Sequence, residues 1–186
     1  MADNKVTFGL CNVHVGTWEE ENGAITMGTP VHIPGAVDWA PSQDSNQYTF
    51  YADNMAYFSE YTDGPIEGDL EMALYPDSFK ETFMGYKRLT DGGLAQVKNP
   101  VKKNIYMCGE VEGDKEKRRF IFYNGSLGAI SRTYHTTEEN KEVQTETCPI
   151  TFSGDNISGA CKATYKPGDT GYDTLFSAPT APTIAP

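Results

Sequence analysis

Glu67, Asp69 and Glu71 stand at alternate positions of the stretch Ile66 to Gly85. On an extended strand such residues share one face, about 7 Å apart. A carboxylate row of this kind suits three roles. Two members can serve as the acid and the base or nucleophile of a glycosidase. The row can contribute oxygens to a calcium site. It can also be a plain solvated acidic face. The first two roles need further groups from another segment, and the row alone supplies none. Leu70, Met72 and Leu74 fall on the opposite side, so the stretch reads as a strand with one acidic and one buried face.

Other reactive side chains are scattered. His14, His32 and His135 lie far apart with no nucleophile beside them, and are expected to be structural or solvated. Cys11, Cys108, Cys148 and Cys161 form no CxxC pair, and are expected to be reduced, packed thiols with no zinc site. No GxSxG, HExxH, P-loop or strand-linked GxGxxG pattern occurs. The expectation is a protein without enzymatic activity, cofactor or metal.

The 186 residues suffice for one domain with a real core. A formal net charge of −11 disfavours binding to nucleic acid. Lys115, Lys117, Arg118 and Arg119 are expected at the solvated tip of a hairpin rather than in a phosphate site. No signal peptide and no membrane-spanning stretch is visible.

The elements that must position these residues are mostly strands. Lys5 to Trp18 and Ala24 to Ile33 flank Asn22-Gly23, a pair suited to the positive φ of a tight hairpin. Asp38 to Gln47 lacks an apolar period and reads as a long loop. Tyr48 to Tyr61 carries Tyr48, Phe50, Tyr51, Tyr57, Phe58 and Tyr61, with a turn at Asp53-Asn54. Aromatic residues in this density fit either a core or a protein–protein contact.

After the acidic strand, Pro76 suits the first position of a helix, Phe79 and Phe83 share a helix face, and Gly85 suits the stop. Tyr86 to Lys103 reads as a loop. Asn104 to Glu112 pairs with Arg118 to Asn124 around Gly113-Asp114, and Ser126 to Thr137 with Lys141 to Ser153 around Glu138-Glu139-Asn140. Ala160 to Tyr165 is a short strand, and Gly171 to Ser177 a last helical turn or edge contact. Residues 178–186 form a proline-rich tail or linker beyond a domain spanning 1–177. The sum is a mainly β fold: an antiparallel sandwich or barrel of roughly eight to ten strands with one flanking α-helix and long loops.

Several blocks in order resemble a known family. They are Lys5-Val-Thr-Phe-Gly-Leu-Cys-Asn-Val-His, Pro34-Gly-Ala-Val, Phe50-Tyr-Ala-Asp-Asn, Glu67-Gly-Asp-Leu-Glu-Met-Ala-Leu-Tyr-Pro-Asp-Ser-Phe and Gln144-Thr-Glu-Thr. Together they resemble the major tail proteins, or tail-tube proteins, of long-tailed non-contractile phages and prophages of Gram-positive bacteria. The resemblance implies a structural virion protein of the tail-tube fold. It would self-assemble into stacked hexameric rings, a hollow tube that conducts double-stranded DNA during ejection without binding it specifically. Implied partners are further copies, the tail initiator or baseplate and terminator proteins, and the tape measure protein, with no membrane. The implied location is the phage tail, assembled in the host cytoplasm.

Under that resemblance, Glu67, Asp69, Glu71, Glu142 and Glu146 are candidates to face the bore. Asp38, Trp39, Asp44, Tyr48, Phe50, Tyr51, Tyr57, Phe58, Phe79 and Phe83 are candidates for subunit or ring contacts, with Asp38 to Gln47 as an arm that orders on assembly. The rival readings are a carbohydrate-binding β-sandwich module of a phage or cell-surface structure, using Trp18, Trp39 and Tyr61, and a glycosidase using the carboxylate row.

Overall fold

Two-residue turns set the strand pairing. The protein is described by a computed structural model covering residues 7, 9–136 and 143–184. Strand β1 (Leu10–Glu21) turns into β2 (Ala24–Met27) at Asn22 and Gly23, whose φ values are +52° and +74°. Next come β3 (Val31–His32), β4 (Ala36–Trp39) and β5 (Ser42–Ala52). Asp53 and Asn54, at φ +52° and +63°, turn the chain into β6 (Met55–Met72). Both turns need left-handed backbone, which Asn, Asp and Gly tolerate. Helix α1 (Asp77–Thr82) and the short pair β7 (Lys87–Arg88) and β8 (Leu94–Ala95) follow. The remaining strands are β9 (Ile105–Val111), β10 (Arg119–Leu127), β11 (Ser131–Arg132), β12 (Glu146–Phe152) and β13 (Lys162–Tyr165).

The antiparallel order β1-β9-β10-β12-β6-β4 makes a wall that closes on itself. The closure comes from a single segment. β3 pairs with β1 at one edge, and β4 pairs with β6 at the other. The linker between them bonds to both edges: Ile33 N–H donates to Val13 C=O at 2.8 Å, and Ala73 N–H donates to Gly35 C=O at 2.8 Å. The mainly β antiparallel fold with one short helix is therefore as expected. Thirteen strands occur among the described residues, more than the roughly eight to ten expected, because pairs as short as β3, β7, β8 and β11 give no periodic signal.

The inner face of the wall holds the main core. Val13, Val15, Leu70, Met72, Ile105, Met107, Phe122, Ile150 and Phe152 meet there with Tyr75, Phe79 and Phe83. The central strands are covered on both sides. Tyr106, Cys108, Ile121 and Tyr123 point the other way and pack with Trp18 and Leu175 in a second cluster. Gly16 permits this, since a Cβ there would lie 2.3 Å from the Tyr106 ring.

Several local expectations change. Asp38 to Gln47 is mostly strand, not loop, since β4 and β5 both pair with β6. Pro76 precedes the helix as its N-cap rather than opening it, and Asp77 is the first helical residue. Leu74 is 53 % exposed because β6 ends at Met72, and Tyr75 takes the buried place. Tyr86 to Lys103 contains the β7–β8 hairpin. The Glu138-Glu139-Asn140 turn and the Lys5 to Phe8 start of the first strand lie outside the described residues, apart from Thr7. Phe83 closes the helix, and Gly85 follows at φ +71°, where a Cβ would lie 2.6 Å from the Val101 oxygen.

Candidate assembly surfaces

Strand β6 is 18 residues long, but only part of it belongs to the wall. From Ile66 to Met72 it pairs with β12. From Met55 to Asp63 its partner among the described residues is β5 alone. This free ribbon, Ser45 to Ala52 against Met55 to Asp63, extends about 25 Å. Not one side chain in it is buried.

The register sorts its two faces, because directly opposed residues share a side. Tyr48 opposes Glu60, Phe50 opposes Phe58, and Ala52 opposes Met55. Tyr48, Phe50, Phe58 and Met55 thus make one largely apolar face. Gln47 opposes Tyr61, Thr49 opposes Ser59, and Tyr51 opposes Ala56 on the other. Thr49 Oγ1 and Ser59 Oγ lie 3.2 Å apart, as same-face neighbours should. A register shift between Phe50 and Tyr51 leaves Tyr57 as the extra residue, 74 % exposed. A second shift between Gln43 and Ser45 places Asp44 where the ribbon leaves the wall.

A second surface lies on the wall. Glu67, Asp69 and Glu71 oppose Thr151, Pro149 and Thr147 of β12. Their face is the solvated one, since Ile66, Leu70 and Met72 alternate with them into the core. Thr145 Oγ1 donates to Glu71 Oε1 at 2.5 Å, and Asp38 of β4 opposes Glu71. The result is a polar, acidic strip bordered by hydroxyls. The described residues contain no group of three or more His, Cys, Asp or Glu placed to hold a metal ion.

The predicted site residues separate accordingly. Tyr48, Phe50, Tyr51, Tyr57 and Phe58 gather on the ribbon, with Asp44 at its base. Phe79 and Phe83 do not join them. Each is 3 % exposed, because α1 turns that stripe onto the inner core. Trp39 is half-buried, edge-on to Phe122 and Phe152 at 5.6 and 5.8 Å, so it is packing rather than free surface. Glu146 leaves the acidic row. On β12 it shares a side with Cys148, Ile150 and Phe152, is 4 % exposed, and accepts hydrogen bonds from Tyr75 N–H and Lys80 Nζ. Glu142 lies outside the described residues.

Met55 carries no such signal in the sequence; pairing across the Asp53-Asn54 turn sets it opposite Ala52, on the face of Phe50 and Phe58. The glycan platform does not form: Trp18 is 2 % exposed within the second cluster, and Trp39 is packed as described. The four cysteines are free thiols. Burial pushes Cys108 and Cys148 up to about 12, so neither is a ready nucleophile.

No protein-family description matches the chain, and no curated protein does. Among solved structures, it is similar to a chain of the sheath–tube complex of an extracellular contractile injection system, PVC, in the extended state. That likeness has 10 % identity and a TM-score of 0.46, over 87 % of this chain and 93 % of the other. It is also similar to a chain of the PVC sheath/tube terminator in the extended state, with 8 % identity and a TM-score of 0.45, over 89 % of this chain and 99 % of the other.

Proposed function

We propose that this protein is a structural subunit of a tail-tube assembly, in which copies join through the β5–β6 ribbon and enclose a conduit for DNA. The observation that carries the reading is the ribbon itself. A two-stranded ribbon with both faces wet is marginal in water. This one presents Tyr48, Phe50, Met55 and Phe58 on one side, and an exposed apolar patch of that kind calls for a partner. A second copy is the fitting occupant, because self-assembly uses the free backbone edges of β5 and β6 as well as the aromatic face. The sequence blocks that resemble those of major tail proteins support the same reading.

In this reading six copies form a ring, rings stack into the tube of a phage tail, and the role is architectural rather than enzymatic. The strip of Glu67, Asp69 and Glu71 lines the bore. Phosphates are repelled from such a wall, so the genome slides without sticking. The initiator or baseplate, terminator and tape measure proteins are the partners that go with this role. Residues 178–186 serve as a tail or linker outside the tube domain.

Negative-stain electron microscopy of the purified protein at high concentration tests this. Hollow tubes with a ring repeat are expected. Dispersed particles of monomer size would count against it.

A further inference from the structure

Beyond β13 the chain folds back over the outer face of the barrel. Its turns are closed by Tyr172 N–H to Asp169 C=O at 3.0 Å and Ala178 N–H to Thr174 C=O at 2.8 Å. Several contacts hold the segment, among them Tyr172 Oη donating to the Lys117 carbonyl at 2.8 Å. Leu175 is 2 % exposed in the second cluster, and its carbonyl accepts from Cys108 Sγ at 3.7 Å. Arg119 Nη1 donates to Tyr172 C=O at 2.7 Å, with the guanidinium 4.1 Å from the Tyr172 ring centre and 4.5 Å from that of Phe176. The Phe176 ring stacks on His14, centres 4.6 Å apart at 19°.

His14 opposes His32 across β1 and β3, with ring centres 4.9 Å apart. Its Nδ1 lies 2.8 Å from the Asn12 carbonyl. That contact places a proton on Nδ1 and leaves Nε2 as the atom that titrates. We propose that His14, set between His32 and the Phe176–Arg119 stack, is an acid-sensitive latch that releases residues 169–178 when it is protonated.

The groups acting on His14 are His32 from β3, Glu110 from β9 and Arg119 from β10, with Phe176 of the returning segment stacked on its ring and the Cys108 thiol of β9 opposite it in register. Protonation adds a cation beside Arg119 and His32. A cation over Phe176 is attractive in isolation, but Arg119 already lies against that ring. Among the described residues Glu110 is the anion that acts on His14, and it is engaged by Arg119 Nε at 3.2 Å and by Asn12. Burial holds His14 below the ordinary imidazole value, and His32 and Arg119 add to the effect against the pull of the Asn12 carbonyl and Glu110. Release returns the ring to about 6.5. The docked form therefore binds fewer protons. Docking is at full strength above that value and weakens as pH falls through the lowered one.

Hydrogen exchange of the intact protein at about pH 7.5 and about pH 5, corrected for intrinsic rates, reads the latch directly. In the wild type, protection of peptide 169–178 is expected to fall about threefold or more in acid, while β12 keeps its protection. His14→Gln should abolish that acid loss. His32→Gln changes an exposed neighbour outside the stack, should dock normally at neutral pH, and should show a smaller acid loss. Equal wild-type protection at both pH values would overturn the latch. So would an acid loss that persists unchanged in both variants.

Discussion

Lys80 Nζ lies 3.0 Å from each carboxylate oxygen of Glu146, and this pair pins α1 to the inner side of β12. The same carboxylate accepts Tyr75 N–H at 2.8 Å and faces Arg132 Nη1 at 3.5 Å. It is a buried fastening point between helix and barrel, on the opposite side of the wall from Glu67, Asp69 and Glu71.

Removing one partner of a buried pair leaves the other uncompensated. Glu146→Ala should destabilise the fold by about 3 kcal/mol, measured by urea denaturation. A loss below about 1 kcal/mol would mean the pair is no more than a surface contact.

Trp18→Ala distinguishes packing from glycan recognition. With Trp18 enclosed by Tyr106, Ile121 and Tyr123, the change should cost about 3 to 5 kcal/mol of stability. A variant of unchanged stability that lost oligosaccharide binding would restore the carbohydrate reading.

The acidic strip can be inverted. Lysine at 67, 69 and 71 should cost about 1 kcal/mol of stability or less, since Glu67 and Asp69 are exposed and only half-buried Glu71 loses a bond, to Thr145. Tubes should still form, but should retain DNA in low salt, release it as salt rises, and eject genomes slowly. Normal ejection through such tubes would remove the strip from the bore.

Much of this arrangement is legible in the residues, and the exceptions share a cause. Asn22-Gly23 and Asp53-Asn54 declare their turns because few residues accept left-handed backbone. Strand β12 declares itself by alternation, and that same alternation places Glu146 with Cys148 and Ile150 rather than with the acidic row. Strand β5 is silent because period-two patterning records the burial of one face, and the ribbon buries neither. The Phe79–Phe83 stripe reveals a helix face, but not whether that face meets a neighbour or its own barrel. That answer depends on Glu146, which reaches Lys80 of α1 only through the fold.

The ribbon is the decisive place to intervene. Phe50 and Phe58 oppose each other on its apolar face and lie outside both core clusters. Sedimentation velocity of wild type and of the Phe50→Ser, Phe58→Ser double variant across a concentration series shows whether the ribbon joins copies. The wild type should assemble as concentration rises. The variant should remain a folded monomer, with stability within about 1 kcal/mol of the parent. A wild type that stays monomeric throughout, or a variant that assembles equally well, would contradict that role of the ribbon.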